Sequence, residues 1–197
     1  RQMTLLPPAL LPPAAYYAQI CAAGGRAAIA MQAPYDKRRK ETHRYDVADT
    51  RGRLTLTVPV HPPHGIPRAR WTDVCVSDHG RWQAVHAQAL ASAYGRTPYY
   101  EFYIDRLAPM LFAPAGTPLA DVIRGLNSAV LDILLVEDHI DYSSDATLPL
   151  PVAEAAPPYW QLRAPQFGFL PGLSILDLIF SLGPESALYI RKLQVQN

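Results

Sequence analysis

The stretch Thr4–Met31, TLLPPALLPPAAYYAQICAAGGRAAIAM, decides the fold. Residues 4–13 hold Pro7, Pro8, Pro12 and Pro13. Each pyrrolidine ring disfavours helix at the residue before it, so this opening is predicted to run extended. From Ala14 to Ala23 the chain is free of proline and glycine, and Tyr17, Ile20 and Cys21 recur at helical spacing. Gly24-Gly25 then supplies the conformational freedom that ends a helix. Ala27 to Met31 is a short apolar run of strand length. Extended segment, helix and strand within about thirty residues make a parallel βαβ opening, the mark of an α/β protein.

Outward from this opening, the two strand-period runs are clear. Thr42, Arg44 and Asp46 alternate with His43, Tyr45 and Val47, and after Asp49-Thr50-Arg51-Gly52 the residues Leu54, Leu56, Val58 and Val60 alternate with polar neighbours. Two such runs around a turn ending in glycine predict a β-hairpin over 42–60. A further strand is expected from Trp71 to Ser77. From Arg81 to Tyr94, Trp82, Val85, Ala89, Leu90 and Ala93 fall on one helical face. Thr117 and Pro118 read as N-cap and first position of another helix, whose stripe is Leu119, Val122, Ile123, Leu126, Val130, Ile133 and Leu134. Residues 141–168 are loop-rich. Near the end, Ser174 and Asp177 have the spacing of a capping box, Leu173 and Leu178 that of a hydrophobic staple, and the helix they open is expected to stop at Gly183-Pro184. The predicted architecture is one α/β domain over 1–197: a partly parallel sheet extended by the antiparallel hairpin, with helices packed outside. An α+β arrangement is the alternative if the βαβ reading fails.

The composition narrows the function classes. With 18 Lys+Arg against 17 Asp+Glu and a formal charge of +1, the chain lacks the basic excess of a nucleic-acid binder. Its 49% hydrophobic content is enough for a full core, yet no window approaches the ~18 consecutive apolar residues of a membrane span. The apolar run Met3–Ala15 is interrupted by prolines and lacks the basic flank of a signal peptide. Cys21 and Cys75 are the two cysteines, both inside apolar segments, which suits a reducing cytoplasm. The twenty prolines cluster without repeating, so they imply rigid loops and not a low-complexity tract.

Three stretches together resemble the WbqC-like family of bacterial proteins. The first is Leu11-Pro12-Pro13-x-x-Tyr16-Tyr17 with the basic segment holding Tyr35, Lys37, Thr42 and Arg44. The second is Trp82-x-x-x-His86, followed by Ser92-Ala93-Tyr94 and Pro98-Tyr99-Tyr100. The third is Pro157-Pro158-Tyr159-Trp160-Gln161 … Phe169-Leu170-Pro171-x-Leu173-Ser174-Ile175-x-Asp177-Leu178-x-Phe180-x-x-Gly183-Pro184-Glu185. The resemblance implies a bacterial cytoplasmic protein associated with surface-polysaccharide (O-antigen type) biosynthesis. It implies no particular reaction.

Several groups of residues invite a chemical reading. Lys37-Arg38-Arg39-Lys40 and Arg44 place five cations within eight residues. Such a cluster could hold a phosphate, arginine offering paired donors, or could be a solvated loop balanced by Asp36 and Glu41. Lys37 and Arg44, which match the family pattern, are the favoured ligand contacts, together with Tyr16 and Tyr17. His86 shares the buried face of its helix with Trp82, Ala89 and Ala93. It is either an acid–base catalyst in a cleft or a satisfied core histidine. His61 and His64 flank Pro62-Pro63 without a convincing third ligand, so no metal site is assigned. Ser174 and Asp177 are explained by capping, and Gly-rich phosphate loops are absent, so no cofactor is specified. Two functions follow. One is a group transferase acting on a phosphorylated or nucleotide-linked precursor, with His86 moving a proton. The other is a non-catalytic binding or scaffold protein that presents aromatic and Pro-rich surfaces to a partner or to a second copy of itself.

Overall fold

In the computed structural model, which describes residues 3–193 and 195, the opening folds as its sequence predicts. Strand β1 (Thr4–Leu6) leads through the prolines to helix α1 (Ala14–Ala22) and strand β2 (Arg26–Ile29). Pro13 starts α1 with extended backbone, φ −61° and ψ 164°. At its end Gly24 and Gly25 take positive φ and return their N–H groups to the carbonyls of Cys21 and Ile20 at 3.0 and 2.9 Å. β1 and β2 pair in parallel, Thr4 opposite Ala27 and Leu6 opposite Ile29.

The hairpin consists of β3 (Arg44–Asp49) and β4 (Gly52–Thr57), with Tyr45 opposite Leu56 and Val47 opposite Leu54. Arg51 N–H bonds the Asp49 carboxylate at 2.8 Å, and Gly52 takes φ 102° to close the turn. This ribbon is hydrogen-bonded as a separate two-stranded sheet and does not extend the parallel one. The expected strand over 71–77 is mostly a tight turn. Trp71–Asp73 form one turn of 3₁₀ helix, because the Asp73 carboxylate accepts Arg70 N–H at 2.9 Å. Cys75–Val76 alone form a strand (β6), paired with Val60–His61 (β5).

Helix α2 (Trp82–Tyr94) has nearly the predicted bounds, but its buried face runs through Trp82, His86, Leu90, Ala93 and Tyr94, and Val85, expected on that face, is exposed. The aromatic run after it starts a helix that the sequence reading did not assign, α3 (Tyr100–Leu111), which buries Tyr103, Leu107 and Leu111 at i, i+4, i+8. Helix α4 (Leu119–Ile133) buries its predicted stripe. However, Thr117 does not cap it, since its hydroxyl donates to the Pro114 carbonyl at 2.7 Å. Strand β7 (His139–Asp141) pairs in parallel with β2, giving the sheet order β1-β2-β7. After a long irregular segment comes the short helix α5 (Ala164–Phe167), then α6 (Ile175–Leu182) and α7 (Ser186–Lys192). Helix α6 stops at Gly183-Pro184 as predicted, Gly183 being its C-cap; α7, which was not predicted, starts just beyond, because proline is tolerated in the first turn of a helix. No described helix is long and apolar enough to cross a membrane.

What positions the site is a backbone seam between distant segments. Leu10 N–H bonds the Glu41 carbonyl at 2.9 Å, Ser174 N–H bonds that of Asp46 at 2.7 Å, and Ile175 N–H bonds that of Pro12 at 3.0 Å. The proline-rich opening, the start of the hairpin and the entry to α6 are thus held side by side.

Candidate functional site

Along this seam lies a cleft of about 420 Å³, lined by residues 10–13, by Lys40, Glu41 and Arg44–Asp46, and by Gly172 and Ser174. Leu11 enters it with φ 45°, the left-handed region, while its side chain is 1% exposed. For a bulky residue this conformation costs about 1–2 kcal/mol, and strain of that kind tends to persist where the surroundings fix it, often at functional sites.

The charges in the cleft do not cancel locally. Glu41 is paired with Arg39 at 3.4 Å, and Asp46 with Arg53 at 3.2 Å while also accepting the Thr55 hydroxyl at 2.7 Å. Arg44 and Lys40 have no ion-pair partner among the described residues. Arg44 Nε is buried and makes no hydrogen bond, and the neighbouring Tyr45 hydroxyl is likewise buried and unpaired. An unpaired buried donor costs about 1–3 kcal/mol, so Arg44 Nε is a standing demand for an acceptor; the Tyr45 side chain lies on the other face of β3, its ring against His86. An anionic oxygen meets that demand best, because arginine presents planar, always-charged donors.

The structure divides the residues expected at the site. Arg44 lines the cleft. Lys37 is exposed and outside it; the cation that joins Arg44 is Lys40, since Arg38 is held by Asp36 through two contacts at 3.0 Å and Arg39 by Glu41 and the Leu148 carbonyl. Tyr16 and Tyr17 are core residues and do not reach the cleft. The Tyr16 hydroxyl donates to the Pro7 carbonyl at 2.7 Å and that of Tyr17 to Asn127 Oδ1 at 2.8 Å, and burial pushes both pKa values well up. His86 lies behind the cleft wall, its ring 6.3 Å from that of Tyr45 and 5.1 Å from that of Trp82. Burial lowers its pKa, offset in part by a hydrogen bond to the backbone of Thr57, so the imidazole is neutral at pH 7, and its Nδ1 has no partner.

One group escaped the sequence reading. Asp177 does not close a capping box, because the Ser174 N–H it would accept is already bonded to Asp46. Ser174 Oγ alone caps α6, accepting Leu176 N–H at 3.2 Å. The Asp177 carboxylate is 3% exposed and accepts the Tyr159 hydroxyl at 2.5 Å and Gln161 Nε2 at 2.9 Å, with Tyr94 a third partner. Gln161 also clamps Leu170 through both its carbonyl and its N–H, each at 2.9 Å. The alternation Tyr159-x-Gln161, two hydrogen-bonding side chains on one face of an extended segment, was the available signal. Burial raises the Asp177 pKa, and the hydrogen bonds only partly oppose it. The folded state therefore binds this proton more tightly than the unfolded chain. Its contribution to stability is largest at low pH and declines as pH rises from about 3.9, the unfolded value, through the raised folded value. Denaturant midpoints measured across this range should show that decline, and Asp177→Asn should flatten it. Superimposable profiles for the two proteins would contradict the assignment.

A second cavity of about 340 Å³ adjoins the cleft, sharing Pro13, Leu150, Gly172 and Ser174 with it. Among the described residues no group of three or more His, Cys, Asp or Glu side chains is placed to hold a metal ion. The aromatics Tyr99 and Tyr100 pack inward, Tyr100 with its ring centroid 5.2 Å from that of Phe180.

Compared with known proteins, residues 7–151 match the family model described as the WbqC-like protein family. The match takes in the first two of the three resembling stretches and ends before the third. No curated protein and no solved structure matches the chain.

Proposed function

We propose, from the premise that this chain belongs to the WbqC-like protein family, that its cleft binds the phosphate of a phosphorylated or nucleotide-linked small molecule. The activity suggested by the family's association with surface-polysaccharide (O-antigen type) biosynthesis is group transfer on such a precursor. The observation that carries the reading is Arg44, a guanidinium in a cleft with a buried Nε that no described residue satisfies. Lys40 adds a second uncompensated cation, while the acids beside them are already paired. These two cations, set beside two carboxylates that are already paired, are what support an anion as the ligand. No free acid or base among its described side chains marks out a proton-transfer step, so binding is the part of the function that the geometry supports.

Inorganic pyrophosphate and nucleoside diphosphates should raise the melting temperature, because a ligand that binds only the folded state stabilises it by RT ln(1 + [L]/Kd). At a concentration of about 100 Kd this is about 2.7 kcal/mol. Arg44→Gln should remove the shift and leave the fold intact, since it deletes a charge with no ion-pair partner among the described residues. The same shift in the folded Arg44→Gln protein would place the anion elsewhere and end the proposal.

A further inference from the structure

The cavity next to the Arg44 cleft differs from it in chemistry. Its walls include Ala15, Leu173, Leu178, Phe169 and Leu193, and the polar side chains that reach it among the described residues are already committed. Ser174 Oγ caps α6, the Tyr159 hydroxyl donates to Asp177, and the Tyr189 hydroxyl donates to the Pro157 carbonyl at 2.8 Å. A nucleobase or a sugar brings amino, carbonyl or hydroxyl groups that need partners, and burying them unpaired costs free energy. A hydrocarbon brings none, and its transfer from water favours a lining of this kind.

The charged cleft and the apolar cavity share a wall at Pro13, Leu150, Gly172 and Ser174. One molecule can therefore occupy both, provided that it is anionic at one end and apolar at the other. We infer that the ligand is an anionic amphiphile, with its phosphate at Arg44 and Lys40 and a hydrocarbon chain, acyl or isoprenoid, in the adjoining cavity. The inference rests on the anion-site reading and narrows it, because it assigns the apolar part of the ligand to hydrocarbon instead of nucleoside. The charge complementarity of the two compartments selects this occupant over a neutral lipid, and the small size of the cavity selects it over a protein segment.

The test is a titration of the whole chain with inorganic phosphate, then butyl, hexyl and octyl phosphate, geranyl phosphate and uridine diphosphate, each below its micelle concentration. Affinity should rise roughly fourfold for each methylene that becomes fully buried, until the cavity is filled. Comparing geranyl with octyl phosphate separates a branched isoprenoid from a straight chain. Ala156→Phe, which fills the apolar cavity and touches no group in the charged cleft, should abolish the dependence on chain length while inorganic phosphate binds as before. Arg44→Gln should weaken every member of the series. Phosphate binding with no gain along the alkyl series, or uridine diphosphate binding more tightly than every alkyl phosphate, would overturn the amphiphile and leave the anion site standing. Alkyl chains binding equally well as neutral alcohols, with no sensitivity to Arg44→Gln, would overturn the anion site and the inference built on it.

Discussion

Phe180→Ala is expected to lower the stability of the folded chain by about 3–5 kcal/mol, the range for deleting a buried aromatic ring. Phe180 is fully buried on α6, between Tyr94 and Tyr100, with ring centroids at 5.3 and 5.2 Å. Its ring joins three helices, because Tyr94 ends α2 and Tyr100 starts α3. Truncation leaves a void that neither tyrosine can fill cheaply: the Tyr94 hydroxyl is fixed by Ala48 N–H at 3.2 Å, and Tyr99 N–H holds the start of α3 to the Phe180 carbonyl at 3.0 Å. For a chain of this length each kcal/mol lowers the melting temperature by about 2–4 °C, so the expected fall is about 6–20 °C. Phe180→Leu, which refills most of the space, should recover more than half of the loss. Urea unfolding measures both, and a loss under about 1 kcal/mol for Phe180→Ala would mean that α6 is not packed as described. Phosphate affinity at a temperature where both proteins are folded should be unchanged, since Phe180 lines neither cavity.

The sequence was most legible where one local period dominates. The hairpin alternates along most of each strand, with Val47-Ala48 the one break, and the α4 stripe repeats at 3.6 residues over fifteen positions, so both formed as read. Helix α3 was obscured because Tyr99, Tyr100, Phe102 and Tyr103 mask its i, i+4 spacing, and Pro109 sits inside it. Helix α7 was obscured because Pro184 reads as a stop when it also fits the first turn of a new helix. The same split divides the site. The place of Arg44 on the cleft wall was legible because a cation on a strand has a defined face. Lys37 and Lys40 were indistinguishable in a run of four cations, and only the turn over Lys40–Thr42 decides which one reaches the cleft. Tyr16 and Tyr17 were misplaced because their partners, Pro7 and Asn127, lie 9 and 110 residues away. Asp177 was misread because a local explanation was at hand, whereas its hydrogen bonds are tertiary.

Gly25→Ala should cost about 2–5 kcal/mol, although it adds a single methyl group. Two effects act together. Gly25 has φ +86°, where a side chain meets its own backbone at a cost of about 1–2 kcal/mol. The added Cβ would also stand within the van der Waals envelope of the Glu137 carbonyl oxygen, with the carbonyl carbon at 3.0 Å and Val136 Cγ1 at 3.1 Å. Overpacking of that kind adds about 1–3 kcal/mol, because a backbone carbonyl cannot swing aside as a side chain can. The clash falls where β7 joins the sheet, since His139 N–H bonds the Gly25 carbonyl at 3.1 Å and Arg26 pairs with His139. Gly116 separates the two effects: its φ is +89° and nothing lies within 4 Å of an added methyl. Gly116→Ala should therefore show the conformational cost alone. Equal losses for the two variants, measured by denaturant unfolding, would mean that the α1–β2 corner does not approach Glu137 closely. A larger loss for Gly25→Ala, with phosphate affinity unchanged while folded, is the expected result, because that corner braces the parallel sheet and contributes no residue to the Arg44 cleft.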